Sequence, residues 1–390
     1  MIVLPLQTAV DDQASVFPLG FAHDVITSLS RLRWLRVIAR ATAFRLSDPT
    51  VAQSDIQTLV GARYCVSGQC YPHRDGMEIH LQLEDLVSGS VLYADRVSFA
   101  GDELQTVRHD VVCRIAGSLE REISEQEAAR ALLKSTASLN AWEAYHRAMS
   151  HFFRFTADDN QKALALFRHS VSADDSFARA HAGLSSAAFQ NAFNHYPGID
   201  RLKAVQQAIT HAEKSIQLDR LDPLANFVMG RVHWLTGEPG ASLPWLERAV
   251  ALNPNYAQGY YAHGLASLLS SDEMRGYDDS KRALSLSPLD PFLYGFYGIR
   301  AFSHLADDDP ESAHAWAEKA AHQPEALAVM DLLAAATSQI TGRGERAASW
   351  LGKARSRNPG IGSQHFFAAL PFAPGRIKDT LSSAFTELDV

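Results

Sequence analysis

Cys65, Cys70, His73 and His80 bring two thiols and two imidazoles into one short stretch of the chain, a donor set suited to zinc. Their spacing argues against that use. Structural zinc sites favour tight C-x2-C or H-x3-H pairs, and these four are loosely spread. Cys65 and Cys70 stand five apart in a segment that reads as a strand, so their side chains should face opposite sides of a sheet and should not pair. Buried cysteines and surface histidines are the expected outcome, without metal or cofactor. Farther along, His146, His233 and His263 recur on helices of the repeat described below, and read as packing residues held by hydrogen bonds rather than catalysts. The acid clusters Asp174-Asp175 and Asp307-Asp308-Asp309 fall in turns, where Asp accepts hydrogen bonds from free backbone N–H groups. The chain contains no H-E-x-x-H, no G-x-S-x-G and no G-x-x-x-x-G-K-[ST], so the common hydrolase and P-loop chemistries lack their signatures. No enzyme is expected.

The bulk composition fits that reading. A chain of 390 residues suits two or three domains, and 46% hydrophobic with 21% charged residues is ordinary for globular protein. A net charge of −8 argues against a direct nucleic-acid partner, which needs a field of Lys and Arg. Three cysteines suit a reducing compartment. No stretch approaches the roughly 20 apolar residues that span a bilayer, and the opening Met-Ile-Val-Leu-Pro-Leu is not a signal peptide. The expected location is the cytoplasm, unless targeting information lies outside this segment.

Residues 1–125 carry the pattern βαβαβββα, a mixed sheet with helices on one or both faces. "MIVLPL" and "LRVIAR" read as strands, with a helix between them bearing Phe21, Val25, Leu29 and Leu32 on one face. "SDIQTLVGAR" reads as a second helix stopped at Gly61. "YCVSGQCY", "MEIHLQLED" and "SVLYADRVSF" follow as three strands, with turns at "HRDG" and "VSGS". A long helix then places Leu104, Val111, Ile115, Leu119 and Ile123 on one stripe. The opening strands should pair in parallel and the later ones as antiparallel hairpins.

Past a helical linker at 126–138, the sequence repeats. Leu218, Leu252 and Leu286 recur every 34 residues, each at a helix end followed by a turn, and Gly230, Gly264 and Gly298 share that period. Glycine inside a helix costs about 1 kcal/mol, so these positions imply close approach of two helices. Small residues answer them on the second helix: Ser242 and Ala249, Gly276 and Ala283, Ala347 and Ala354, with Trp245, Leu246, Trp350 and Leu351 filling the spaces between. By this yardstick about six units cover 139–359, with insertions near "FNHYPGIDRLK" and "LADDDPES". Residues 360–390 read as a cap whose last helix carries Ile377, Leu381, Phe385 and Leu388 on one face.

These phrases resemble the tetratricopeptide repeat, a 34-residue helix-turn-helix unit. The resemblance implies an all-α superhelical solenoid whose concave face binds a protein or peptide. First-helix residues outside the hairpin core would form that surface: Phe227, Arg231, Trp234, Gln258, Tyr261 and Phe302. Two alternatives stand beside it. Trp234 and Phe302 could serve only to pack neighbouring units, and "QHFFAALPF" (364–372) is a rival occupant of the groove. The blocks "ITSLSRLRWLRVIARATAF", "LVGARYCVSGQC" and "MEIHLQLEDLVSGSVLYADR" resemble the TolB-type amino-terminal, or FlgO-like, domain of bacterial signalling proteins. In that family the pair of domains follows an effector: a CadC-type winged-helix DNA-binding domain, a nucleotide cyclase or a kinase. The chain starts at the first strand of the sensor-like domain, which implies either a fragment or an effector-free relative. Its role would be non-catalytic and regulatory, with a homodimer plausible from the sticky ends of a solenoid. Alternatives are a free-standing adaptor or chaperone, or a small-ligand-binding or enzymatic α+β domain.

Overall fold

The computed structural model describes residues 1–8, 16–47, 53–73, 76–100, 104–194, 196, 198–270 and 275–390. The chain is an α+β unit followed by an all-α solenoid of tetratricopeptide-type hairpins, and the boundary between the two compact units falls between Ser124 and Glu125.

In the first unit, β1 (Ile2–Val3) and β2 (Gln7–Thr8) both pair in parallel with β3 (Tyr64–His73), which continues antiparallel to β4 (Gly76–Asp85) and then β5 (Ser90–Ala100). Ile2 pairs with Cys65 but Gln7 with Gln69, so the register slips by one residue across Pro5. Proline has no N–H to give the ladder, which is where such an irregularity is tolerated. One sheet face is covered by α1 (Val16–Ser30) and α4 (Leu104–Leu132). Phe21, Val25 and Leu29 meet Val111, Ile115, Leu119 and Ile123 over Ile79, Leu81 and Leu83 there. The side chain of Leu104 lies outside the described residues. The other face is partly covered by α2 (Arg40–Arg45) and α3 (Gln53–Val60), which bring Ala43 and Ile56 onto Ile2 and Cys65. Gly61 ends α3 at φ +62°, a conformation that suits a residue without Cβ.

One expected strand is absent. Residues 35–39 run irregularly beside β1 and lead into α2, where "LRVIAR" predicts a ladder. Among the described residues the segment makes two backbone bonds there, from the Met1 amine to the Arg36 carbonyl and from Ile38 N–H to the Met1 carbonyl, each 2.9 Å. Directly after Ala39 the chain turns into α2, so the pairing goes no further in that direction. The parallel partner of β1 is β3 instead.

The second unit contains six helical hairpins among the described residues: α5 (Ala141–Phe152) with α6 (Ala157–Ala173), α7 (Ala178–Phe193) with α8 (Arg201–Leu218), α9 (Pro223–Leu235) with α10 (Leu243–Leu252), α11 (Ala257–Leu269) with α12 (Gly276–Leu286), α13 (Leu293–Ala306) with α14 (Pro310–Ala321), and α15 (Ala328–Ile340) with α16 (Gly344–Arg357). Two of the three periodic glycines close their own hairpins, as their spacing implies. A Cβ on Gly230 would stand 2.6 Å from Leu246 Cγ, and one on Gly264 would stand 2.9 Å from Asp279 Cβ. Gly298 instead faces the next unit, 3.1 Å from Met330 Sδ by the same construction.

Junctions between units share one device. Asp174, Asp219, Asn253 and Asn358 each accept, through a side-chain oxygen, the N–H two residues on. This Asx turn ends the second helix and starts the next unit. Asp309 instead caps the start of α14 by accepting the Ser312 N–H at 3.1 Å. After α16 come α17 (Ser363–Ala369) and α18 (Arg376–Glu387).

Candidate functional site: the inner face of the solenoid

First helices of the hairpins turn one side inward. On α9 the spacing of Phe227, Arg231 and Trp234 (four, then three) puts all three on that side. Each is buried, Trp234 to 1% exposure and Arg231 to 6%. The Arg231 guanidinium lies 3.8 Å from the Phe189 ring centroid and within 5.7 Å of Phe227, Trp234 and Phe292. Among the described residues it has no carboxylate partner, and its Nε–H finds no acceptor. Burial pushes the guanidinium down from its ordinary range, yet arginine stays charged at any physiological pH. Cation–π contacts of about 0.5–2 kcal/mol each offset part of a desolvation penalty of several kcal/mol.

Tyr261 reaches the same place from α11. Its ring passes over Gly295 of α13, where a Cβ would stand 2.6 Å from Tyr261 Cε2. Tyr294, Gly298, Phe302 and Met330 continue the wall, and with Gln190 and Leu370 they enclose a cavity of about 20 Å³. Burial pushes the Tyr261 and Tyr294 hydroxyls up from their usual range, so both remain O–H donors at neutral pH.

Two parts of the chain close this inner face. The first is Phe155, in the turn between α5 and α6. It holds φ +52°, and its ring meets Phe292 at 5.1 Å and Tyr294 at 5.5 Å. The second is the C-terminal segment. Phe366, Ala369, Leu370 and Phe372 are buried, and Phe372 meets the Phe302 ring at 5.0 Å. Ala373 N–H donates to the Leu269 carbonyl at 2.8 Å, and Arg201 reaches the Ala368 carbonyl at 3.5 Å. Beyond it, α18 packs on α13 and α15, with Ile377, Leu381 and Phe385 buried and Leu388 half-buried.

The six expected contact residues therefore differ from an open concave surface. Phe227, Arg231, Trp234, Tyr261 and Phe302 are buried, because the winding of the helices and the C-terminal segment fill the space they face. Gln258 stands apart, half-buried, with its amide 3.4 Å from Asp290 Oδ1 at the start of the next-but-one helix. Arg179 makes the equivalent link to Asp222 at 2.8 Å, so both side chains lace successive units. The sequence reading passes over Phe155, Phe189, Phe292 and Tyr294. A Phe in the α5–α6 turn, where Gly237 and Gly342 hold the corresponding left-handed positions, is the signal that marks the first.

The other candidates resolve into structure. Cys65 and Cys70 lie in the two separate cores on opposite sheet faces, so they cannot share an ion; the His73 side chain lies outside the described residues. His80 is exposed and bonds Glu78 at 2.7 Å. His146 is buried against Trp142 at 4.1 Å, His263 bonds Asp279 at 2.6 Å, and His233 is half-buried. On the first unit's sheet, Ser67, Gln69, His80, Gln82 and Arg96 line a broad open concavity beside α2 and α3. No helix among the described residues is long and apolar enough to cross a membrane.

No family model matches the chain. A protein of Rhizobium meliloti (strain 1021) named "Putative adenylate cyclase 3" is 25% identical over 230 residues, which are 58% of this chain and 39% of that protein. The chain thus matches well under half the length of that relative. Among solved structures, it is similar to PilW, a type IV pilus biogenesis factor, with 16% identity, a TM-score of 0.40, and coverage of 59% of this chain and 98% of that one. It is also similar to YrrB, a tetratricopeptide protein with an unusual peptide-binding site, with 18% identity, a TM-score of 0.28, and coverage of 46% and 83%.

Proposed function

We propose that this chain is a non-catalytic, regulatory protein-interaction region of a bacterial signalling protein, and that its solenoid holds an apolar peptide segment on the inner face. One observation carries the reading. The inner face already grips such a segment, the chain's own 366–373, by burying two phenylalanines and a leucine and taking one main-chain hydrogen bond. Burying a Phe or Leu side chain contributes about 1.5–3 kcal/mol, so the segment is held firmly but within reach of a competitor. A partner peptide with the same spacing of aromatic side chains takes its place, and Phe302 is the side chain both occupants share. The signalling context draws support from the cyclase-named relative. On this reading the first unit is the TolB-type sensor-like domain, an effector such as a cyclase, kinase or winged-helix domain supplies the output, and the protein works in the cytoplasm.

The test uses the full chain. Phe366→Ser with Phe372→Ser weakens the hold on the native segment while leaving the six hairpins in place. A fluorescent peptide of residues 363–373 should then bind the double variant saturably and the wild type far more weakly. Equal binding to both proteins, or binding to neither with an intact helical CD spectrum, sinks the reading.

A further inference from the structure

The inner cavity contains a chemical imbalance that peptide binding does not explain. Arg231 is more than nine-tenths buried, carries a permanent charge, and meets only aromatic faces among the described residues. Rings attract a cation through their electron-rich faces, but they accept no N–H hydrogen bond of ordinary strength. Gln190 lines the same space, but its Oε1 is an acceptor and its amide N–H donates to the Phe152 carbonyl at 3.3 Å, so it marks a wall that the anion stands clear of. Tyr261 and Tyr294 line it as well, and each brings an O–H. The glycine at 295 opens the room in which the Tyr261 ring lies. Cation, hydroxyl donors and a small void thus converge, and what they lack is negative charge.

We infer that this cavity binds one small inorganic anion of halide size, held by the Arg231 guanidinium and the Tyr261 and Tyr294 hydroxyls. A void of about 20 Å³ admits a species about as large as one water. It excludes sulfate, phosphate or a ligand carboxylate as long as Leu370 stays in its wall. Bound there, the anion neutralises the buried charge and joins α9, α11 and α13 from within. Because Leu370 belongs to the C-terminal segment, the anion also stabilises the closed state of the inner face.

Bromide is the probe. At constant ionic strength in sodium gluconate, whose anion is too large for the void, rising bromide should raise the melting temperature of the full chain to a plateau. Arg231→Met should abolish that response. Tyr294→Phe, which keeps the ring, should raise the half-saturating bromide concentration about tenfold, the worth of one hydrogen bond to a charged group. Crystals of the wild type grown in bromide should show an anomalous peak beside the Arg231 guanidinium. The inference fails if the wild type shows no saturable response, if Arg231→Met responds as the wild type does, or if the anomalous map is empty at Arg231. The last measurement decides the matter even where a variant does not fold, and it is independent of any peptide-binding result.

Discussion

One added methyl group measures how tightly the hairpins close. At Gly230 a Cβ has no room against Leu246, so Gly230→Ala should cost about 1–3 kcal/mol in urea unfolding. Gly344 has open space around it, and Gly344→Ala should leave stability unchanged or raise it by about 0.4–1 kcal/mol. The difference between the two variants separates packing from helix propensity. Titration gives a second test. Burial first, and the nearby Arg179 second, push His146 down to about 3, and burial with His181 and Arg168 pushes His211 down to about 4, from an ordinary 6.5. Each folded-state value is depressed, so the unfolded chain takes up protons first. The stability tied to these neutral rings is complete above pH 6.5 and drains away as pH falls toward 4 and then 3. The melting temperature should fall across that window, and His146→Phe should flatten the fall. Such residues were legible to different degrees. The period of 34 marks the glycines, and strand parity places Cys65 and Cys70 on opposite faces. The burial of Arg231 was not legible, because a local pattern places a side chain on a helix face without saying what faces it across a groove.

Helix ends and strand edges obey local chemistry, and this made most elements readable. Asp309 accepts the Ser312 N–H and precedes a proline at the first helical position, a start signal written in the sequence. Asp309→Ala should cost about 1 kcal/mol in thermal or urea unfolding, confined to the second unit. By contrast, "LRVIAR" has the β-branched and apolar content of a strand but forms no ladder, because β1 is two residues long and pairs with β3 while the segment turns into α2 after Ala39. Pairing is a property of two segments, and a single-segment pattern cannot supply the second. The C-terminal segment shows the same limit from the other side. Its phenylalanines announced an apolar docking element, while the choice between capping the end and entering the inner face belonged to the tertiary structure.

At the scale of the molecule, the solenoid departs from an array in which each unit touches only its neighbours. Phe155 of the first hairpin meets Phe292 and Tyr294 of the fifth, so a distant contact ties the helical array into one cooperative body. Phe155→Ala should therefore cost about 3–5 kcal/mol and also lower the urea m-value of the second unit, since the loosened array unfolds in parts. An undiminished m-value would mean that neighbour contacts alone set the cooperativity. The distribution of sulfur has a practical consequence. All three cysteines lie buried in the first unit, and burial pushes Cys65 up to about 12 and Cys70 to about 11. Their thiols stay silent toward alkylating reagents while that unit is shut. Five of the six tryptophans, Trp142, Trp234, Trp245, Trp316 and Trp350, lie in the second unit and only Trp34 in the first, so indole emission mainly follows the solenoid. Nature has thus installed a separate reporter in each half, and labelling kinetics read beside fluorescence will time the opening of the two without any engineered tag.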